Sequence, residues 1–234
     1  MGALRGRRRC GARAQDRDTK LPEAIDAALR SNQPALRAQA RAVVARTDPA
    51  RGVAMLVAAL DGGAMPERQA AATALATVSG DAATAALSTQ MASLEAGTLP
   101  KAMAVDVLSA AETRPELKAR AEAFRASCAA KGSLGAWVLC EEGGDAERGR
   151  QIVNFHSAAA CLRCHMVEGT GGHAAPSLAG VGSRHDRRGL VASLVDPNAS
   201  VAEGFGPVSA MPAMGTMLTP AEVRDVVEYL ATLK

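Results

Sequence analysis

The run Cys161-Leu162-Arg163-Cys164-His165 constrains this chain more than any other feature of its sequence. Two thiols three residues apart on a helical turn lie on one face, and the imidazole that comes next projects from the same side. This is the CxxCH pattern of c-type haem attachment, in which each thiol bonds a porphyrin vinyl group and His165 reaches the iron. Three other readings compete. A thioredoxin-like redox pair requires a βαβ surround, and the flanking sequence shows none. A zinc site would recruit Cys128, Cys140, Cys161 and Cys164, but only the second pair has the spacing of a zinc ribbon. A chance match would leave the rest of the region unexplained. One covalent haem c per chain is therefore the expectation.

The residues downstream of the motif suit that expectation. Glu168–Gly182 is a loop of glycines and small apolar residues, and glycine lets backbone run close against a flat ligand. Met211, Met214 and Met217 come next at a spacing that would make a core stripe on a helix, but Pro212 and Gly215 interrupt any such helix. A loop methionine is what a second axial position would use, and His/Met ligation raises the potential of the iron. Thr219-Pro220-Ala221-Glu222 is a capping box with proline at the first helical position. Val223, Val226, Val227, Leu230 and Leu233 then line one face of a C-terminal helix. An opening helix, roughly Ala146–Phe155, offers Ile152, Val153 and Phe155 to the same core.

The chain ahead of this region reads as helices. Apolar residues make up 48% and aromatics only 2%; the remaining apolar content is mostly alanine and leucine, which favour close-packed helices over strands. Three stretches opening at Pro34, Pro66 and Pro100 look like copies of one helical pair, each divided by a polar break. In the first, Leu36, Ala40, Val43 and Val44 have the spacing of one buried face. A HEAT-like repeat region over 21–130 is the expectation, with an irregular helical bundle as the alternative; either would serve as scaffold or partner surface. Turn-rich sequence over 131–143 reads as a linker. The fold class is all-α: a HEAT-like helical repeat region followed by a mono-haem domain over 144–234. Residues 1–20 hold an arginine cluster without interleaved aromatics, read as a disordered basic arm or as sequence not truly part of the protein, and no nucleic-acid partner is expected of it. Cys10 there reads as adventitious. No apolar run approaches the ~20 residues of a membrane span, and no export signal is visible.

Several strings carry a resemblance. GlyGlyAspAlaGluArgGlyArg (143–150), CLRCH, AlaProSerLeuAlaGlyValGly (175–182), LeuValAspProAsnAla (194–199), SerAlaMetProAlaMet (209–214) and the ending from Leu218 to Lys234 resemble the mono-haem domain of class I cytochromes c. More narrowly, they resemble the C-terminal haem domain of large bacterial membrane-bound and sorbosone-dehydrogenase-like proteins, where helical repeats precede it. The resemblance implies Cys161 and Cys164 as thioether anchors, His165 as proximal ligand, Pro176 as the carbonyl that orients the imidazole, and Met211 as distal ligand with Met214 as its rival. It also implies that Gly149 and Tyr229 are structural, at the crossing of the two terminal helices.

Weaker candidates are His156, His173 and His185 as replacement ligands, Arg184 as a haem-propionate partner, and a Cys128–Cys140 disulfide. The function implied is single-electron transfer from an upstream dehydrogenase domain or redox protein to a respiratory acceptor, with no catalytic site in this chain. The alternative is a haem sensor or peroxidase centre with a displaceable methionine. Haem attachment in bacteria comes after export, so a periplasmic or otherwise exported location is expected, with the chain as the C-terminal piece of a longer protein.

Overall fold

The computed structural model describes residues 20–234, so the rest of the basic arm and Cys10 lie outside the described residues. They divide into two compact units, with the boundary between Leu87 and Ser88.

In the first unit a helix runs through residues 20–29 (α1). After it come α2 (Pro34–Thr47), α3 (Pro49–Gly62) and α4 (Met65–Thr77), and α5 (Asp81–Glu95) carries the boundary. Pro34 and Pro49 open their helices, where the missing N–H costs no bond. The core is built from small side chains. A Cβ placed on Gly52 of α3 would lie 2.2 Å from the Cα of Ala45, so α2 and α3 approach until their backbones nearly touch. This close approach decides which face of α2 is buried: Ala38, Ala40, Val44 and Ala45 are inside, whereas Leu36, expected there, is 40% exposed. At the start of α4 the buried Glu67 accepts from Arg37 Nε at 2.8 Å, Arg37 Nη2 at 2.6 Å and the Ala64 N–H at 3.1 Å. Arg41 completes the cluster.

The second unit runs from Ser88 through α6 (Ala104–Thr113), α7 (Pro115–Lys131), α8 (Ala146–Phe155), α9 (Val181–Arg184), α10 (Arg187–Val195) and α11 (Pro220–Thr232). A two-stranded antiparallel hairpin, β1 (Met166–Val167) and β2 (Thr170–Gly171), comes directly after the CxxCH run. The helix pairs expected from the polar breaks are present, with junctions at Asp48 and Arg114, and α8 spans the residues expected of it. Of its apolar residues Val153 is buried, but Phe155 is 79% exposed.

α8 and α11 cross at Gly149, where a Cβ would stand 2.0 Å from the carbonyl oxygen of Asp225 and 2.8 Å from the Cβ of Tyr229. α11 begins with the expected box: Thr219 N–H donates to Glu222 Oε2 at 2.8 Å, and Glu222 N–H donates to Thr219 Oγ1 at 3.3 Å. Two buried residues of α11 are charged. Arg224 donates to Asp106 of α6 at 2.5 and 3.3 Å, and Asp225 accepts from Arg148 of α8 at 2.8 and 3.2 Å.

Residues 131–143, read as a linker, include a 3₁₀ helix, Gly135–Glu141, packed against α7, α10 and α11. Its Cys140 and the preceding Leu134 belong to the same hydrophobic core as Val153, Val226 and Leu230. The Cys128–Cys140 disulfide is absent: both are buried free thiols, and Cys140 donates to the carbonyl of Pro220 at 3.3 Å. Burial pushes the Cys140 thiol up to about 12, so its proton stays in place near neutral pH.

Candidate functional site

The CxxCH run is held by backbone bonds rather than by a long helix. Ala160 sits in the left-handed region at φ 42°, and Cys161–Arg163 then form one 3₁₀ turn. The N–H groups of Cys164 and His165 both donate to the carbonyl of Cys161, at 3.2 and 3.0 Å. The turn brings Cys164, its C-terminal cap, back beside Cys161 in the chain's path. The glycines just downstream make room for this. Cβ atoms on Gly171 and Gly172 would lie 2.1 Å from His165 O and 2.3 Å from Arg163 O. Gly171 also has φ 118°, where a side chain is strained. The loop closes back on the motif through Gly172 N–H to Leu162 O, Ala175 N–H to Cys164 O and Leu178 N–H to Met166 O. Tyr229 of α11 donates to Glu168 at 3.2 Å and ties the hairpin to the C-terminal helix.

Beside this turn lies a cavity of about 400 Å³. Val153 of α8, Leu190 and Leu194 of α10, and Val226 and Leu230 of α11 make apolar walls. Cys161, His165, Pro176 and Met211 all line it. His165 Nδ1 stands 2.7 Å from the carbonyl of Pro176. A carbonyl only accepts, so Nδ1 carries a proton, and in the neutral ring Nε2 then keeps its lone pair, the arrangement a metal-bound histidine needs. Burial pushes the Cys161 thiol up, whereas Cys164 is exposed and outside the cavity lining.

The other expected residues are dispersed. Met214 is 4% exposed and belongs to the core, outside the cavity lining, while Met211 is half-buried on the lining. Arg184 and His185 line the cavity, and Arg184 donates to the carbonyls of Ala179 at 2.5 Å and Ser177 at 3.0 Å. His156 accepts the Ala159 N–H at 3.1 Å and lies 3.8 Å from Glu222, at the end of α8. His173 is exposed. The zinc reading loses its ligands, since no group of three or more His, Cys, Asp or Glu among the described residues could hold a metal ion. Sequence reasoning missed Trp137, whose indole lies against Gly215; being the chain's only tryptophan was the available signal.

The donor set tests well against a haem. An apolar cavity bounded by an imidazole with a free Nε2, a thioether and a cysteine is what a flat, largely apolar macrocycle with a central iron requires. No curated relative and no solved structure matches the chain. The family model of cytochrome c matches residues 146–234, the stretch from the start of α8 to the C-terminus. That stretch is a cytochrome c domain, and its cofactor is one covalently bound haem c with its iron.

Proposed function

We propose that the domain serves electron transfer with His165 and Met211 as axial ligands, Cys161 and Cys164 as anchors and Pro176 as the carbonyl that orients the proximal imidazole. The observation that carries this reading is that His165, with Nδ1 committed to Pro176, shares one apolar cavity with Met211. The bound haem supplies a one-electron Fe(II)/Fe(III) couple. The chain's part is to hold and tune it. Pro176 fixes the imidazole plane and its tautomer. The walls from α8, α10 and α11 keep water out and lower the local dielectric, which favours the less charged reduced state. With His165 and Met211 both donating to it, the bound iron would have no position left for an outside ligand.

The electron donor in this proposal is a dehydrogenase domain or partner of the kind whose haem domains the sequence resembles, and the acceptor is a respiratory carrier. The helical pairs, HEAT-like in period, act as scaffold between them. Maturation places the domain in the periplasm or another exported compartment. Among the described residues no helix is long and apolar enough to cross a membrane.

The test is the intact mass and thiol count of protein matured with a haem-attachment system. A gain of one haem with Cys161 and Cys164 closed to alkylation is expected. Met211→Ala should then lose the oxidised near-infrared methionine-to-iron band, with Met214→Ala keeping it. Colourless protein with both thiols free would overturn the assignment, and rapid carbon monoxide binding by the native chain at neutral pH would favour a displaceable-ligand sensor instead.

A further inference from the structure

Met211 stands between an exposed segment and a buried turn. On its N-terminal side the residues from Asn198 to Val208 are almost all exposed, with Phe205 at 42% and Val208 at 68%. That loop is drawn together at its neck by Ser209 N–H donating to Asn198 Oδ1 at 2.9 Å. On its C-terminal side the chain enters a 3₁₀ turn, Met214–Thr216, with Met214 and Leu218 buried and the N–H groups of Met217 and Leu218 donating to Met214 O. How firmly Met211 is held therefore depends on what holds that turn.

The support for the turn comes from outside the cytochrome c match. A Cβ on Gly215 would fall 2.6 Å from Cζ2 of Trp137 and 3.1 Å from two further indole atoms, so the ring packs directly against the turn with no space between them. Trp137 belongs to the 3₁₀ helix Gly135–Glu141, upstream of residue 146. That helix is itself fastened to the domain at several points. Cys140 donates to Pro220 O at 3.3 Å, Arg187 donates to Glu141 O at 3.2 Å, and Arg188 pairs with Glu141 at 3.3 Å. A rigid aromatic anchored on α10 and α11 thus presses on the turn next to Met211.

We infer that Trp137 is a positioning residue for the distal ligand: through Gly215 it holds the methionine turn in place and keeps Met211 seated. The inference rests on Met211 being the axial ligand. It makes residues 131–143 part of the redox centre's support rather than a tether. Trp137 is partly buried against the core, and close aromatic packing of this kind couples neighbouring elements by amounts that shift an equilibrium severalfold or more.

The experiment uses the full matured chain. Carbon monoxide binds the reduced form only when the methionine has left, so its rate reports the unseated population. Trp137→Leu and Gly215→Ala, each with a full haem mass, should raise that rate by about tenfold or more. Both should also weaken the near-infrared methionine band, and Trp137→Phe should fall between wild type and Trp137→Leu. Gly149→Ala, which disturbs the helix crossing and not the turn, supplies the comparison: a lower thermal midpoint with an unchanged rate is expected. If Gly149→Ala raises the rate as much, general loosening explains the effect and the inference is wrong. If wild type shows the band, Met211→Ala loses it, and both Trp137→Leu and Gly215→Ala keep the native rate, the inference fails while the ligand assignment stands. If wild type lacks the band, the ligand assignment itself fails.

Discussion

Removing the carboxylate of Asp106 should be among the most damaging single changes in the second unit. Arg224 is 3% exposed and Asp106 7%, and the pair bonds at 2.5 and 3.3 Å. In Asp106→Ala the guanidinium keeps a long contact to the Ala102 carbonyl at 3.4 Å and an approach of 4.0 Å to Asp225. Asp225 cannot compensate, because its oxygens already accept from Arg148 and from the Asp145 N–H. A buried charge left without its partner costs about 3–5 kcal/mol. For a unit of this size, each kcal/mol moves the thermal midpoint by about 2–4 °C, so a fall of about 6–20 °C is expected. The double change Asp106→Leu with Arg224→Met removes both charges and should be close to neutral, because desolvation offsets most of what a buried pair contributes. The assay is denaturant unfolding of the matured chain, monitored by helical circular dichroism and by haem absorbance. A single-variant loss under about 1 kcal/mol, the range of solvent-exposed pairs, would refute the burial argument. So would a double variant as damaged as the single one.

Glu67's carboxyl is held down to about 2 from an ordinary 4.5, first by hydrogen bonds from Arg37 and then by Arg41 and the Ala64 N–H. The unfolded chain therefore takes the proton first, so the stabilisation is complete above about pH 4.5 and is lost as pH falls towards 2; the difference in urea midpoint between native chain and Glu67→Gln should shrink across that window, and a constant difference would contradict the assignment. Gly149→Ala drives a methyl into the α11 backbone, an overpacking that should cost about 1–3 kcal/mol by thermal unfolding, and a stability equal to wild type would mean that the two helices are less closely apposed.

Features written in local sequence were legible. The capping box at Thr219, the bounds of α8, and the apolar face of Val223, Val226, Val227 and Leu230 depend on residues within a turn or two of one another, and each is found where expected. Features set by a distant partner were not. Residues 131–143 have the glycine and acidic content of a linker, but the destination of Leu134, Trp137 and Cys140 is decided by α10, α11 and the methionine turn. Leu36 has helical spacing for burial, yet the approach of Gly52 selects the alanine face of α2 instead. An exported setting makes a Cys128–Cys140 disulfide plausible, and the carbonyl of Pro220 that receives the Cys140 thiol lies too far along the chain for the local sequence to reveal. Within the site, the resemblance already preferred Met211 to Met214, and in the fold Met211 lines the cavity while Met214 is buried in the core.

α11 explains why α6 and the cytochrome domain belong to one unit. At about 100° per residue its side chains fall on three faces. Val223, Val226, Val227 and Leu230 share the first, which faces the core and reaches the cavity through Val226 and Leu230. Arg224 and Glu228 share the second and bond Asp106 and Arg187. Asp225 and Tyr229 share the third, against Gly149 and Arg148 of α8. A helix enclosed on all sides must have each buried charge paired, and that requirement is specific: apolar contacts tolerate a small slip of one helix along another, whereas Arg224 against Asp106 and Asp225 against Arg148 do not. The two ion pairs therefore set the height of α11 relative to α6 and to α8 at once. Since α11 supplies one wall of the cavity and its first residue, Pro220, receives the thiol of Cys140, the position of that wall is referenced to residues before the cytochrome c match as firmly as to those within it.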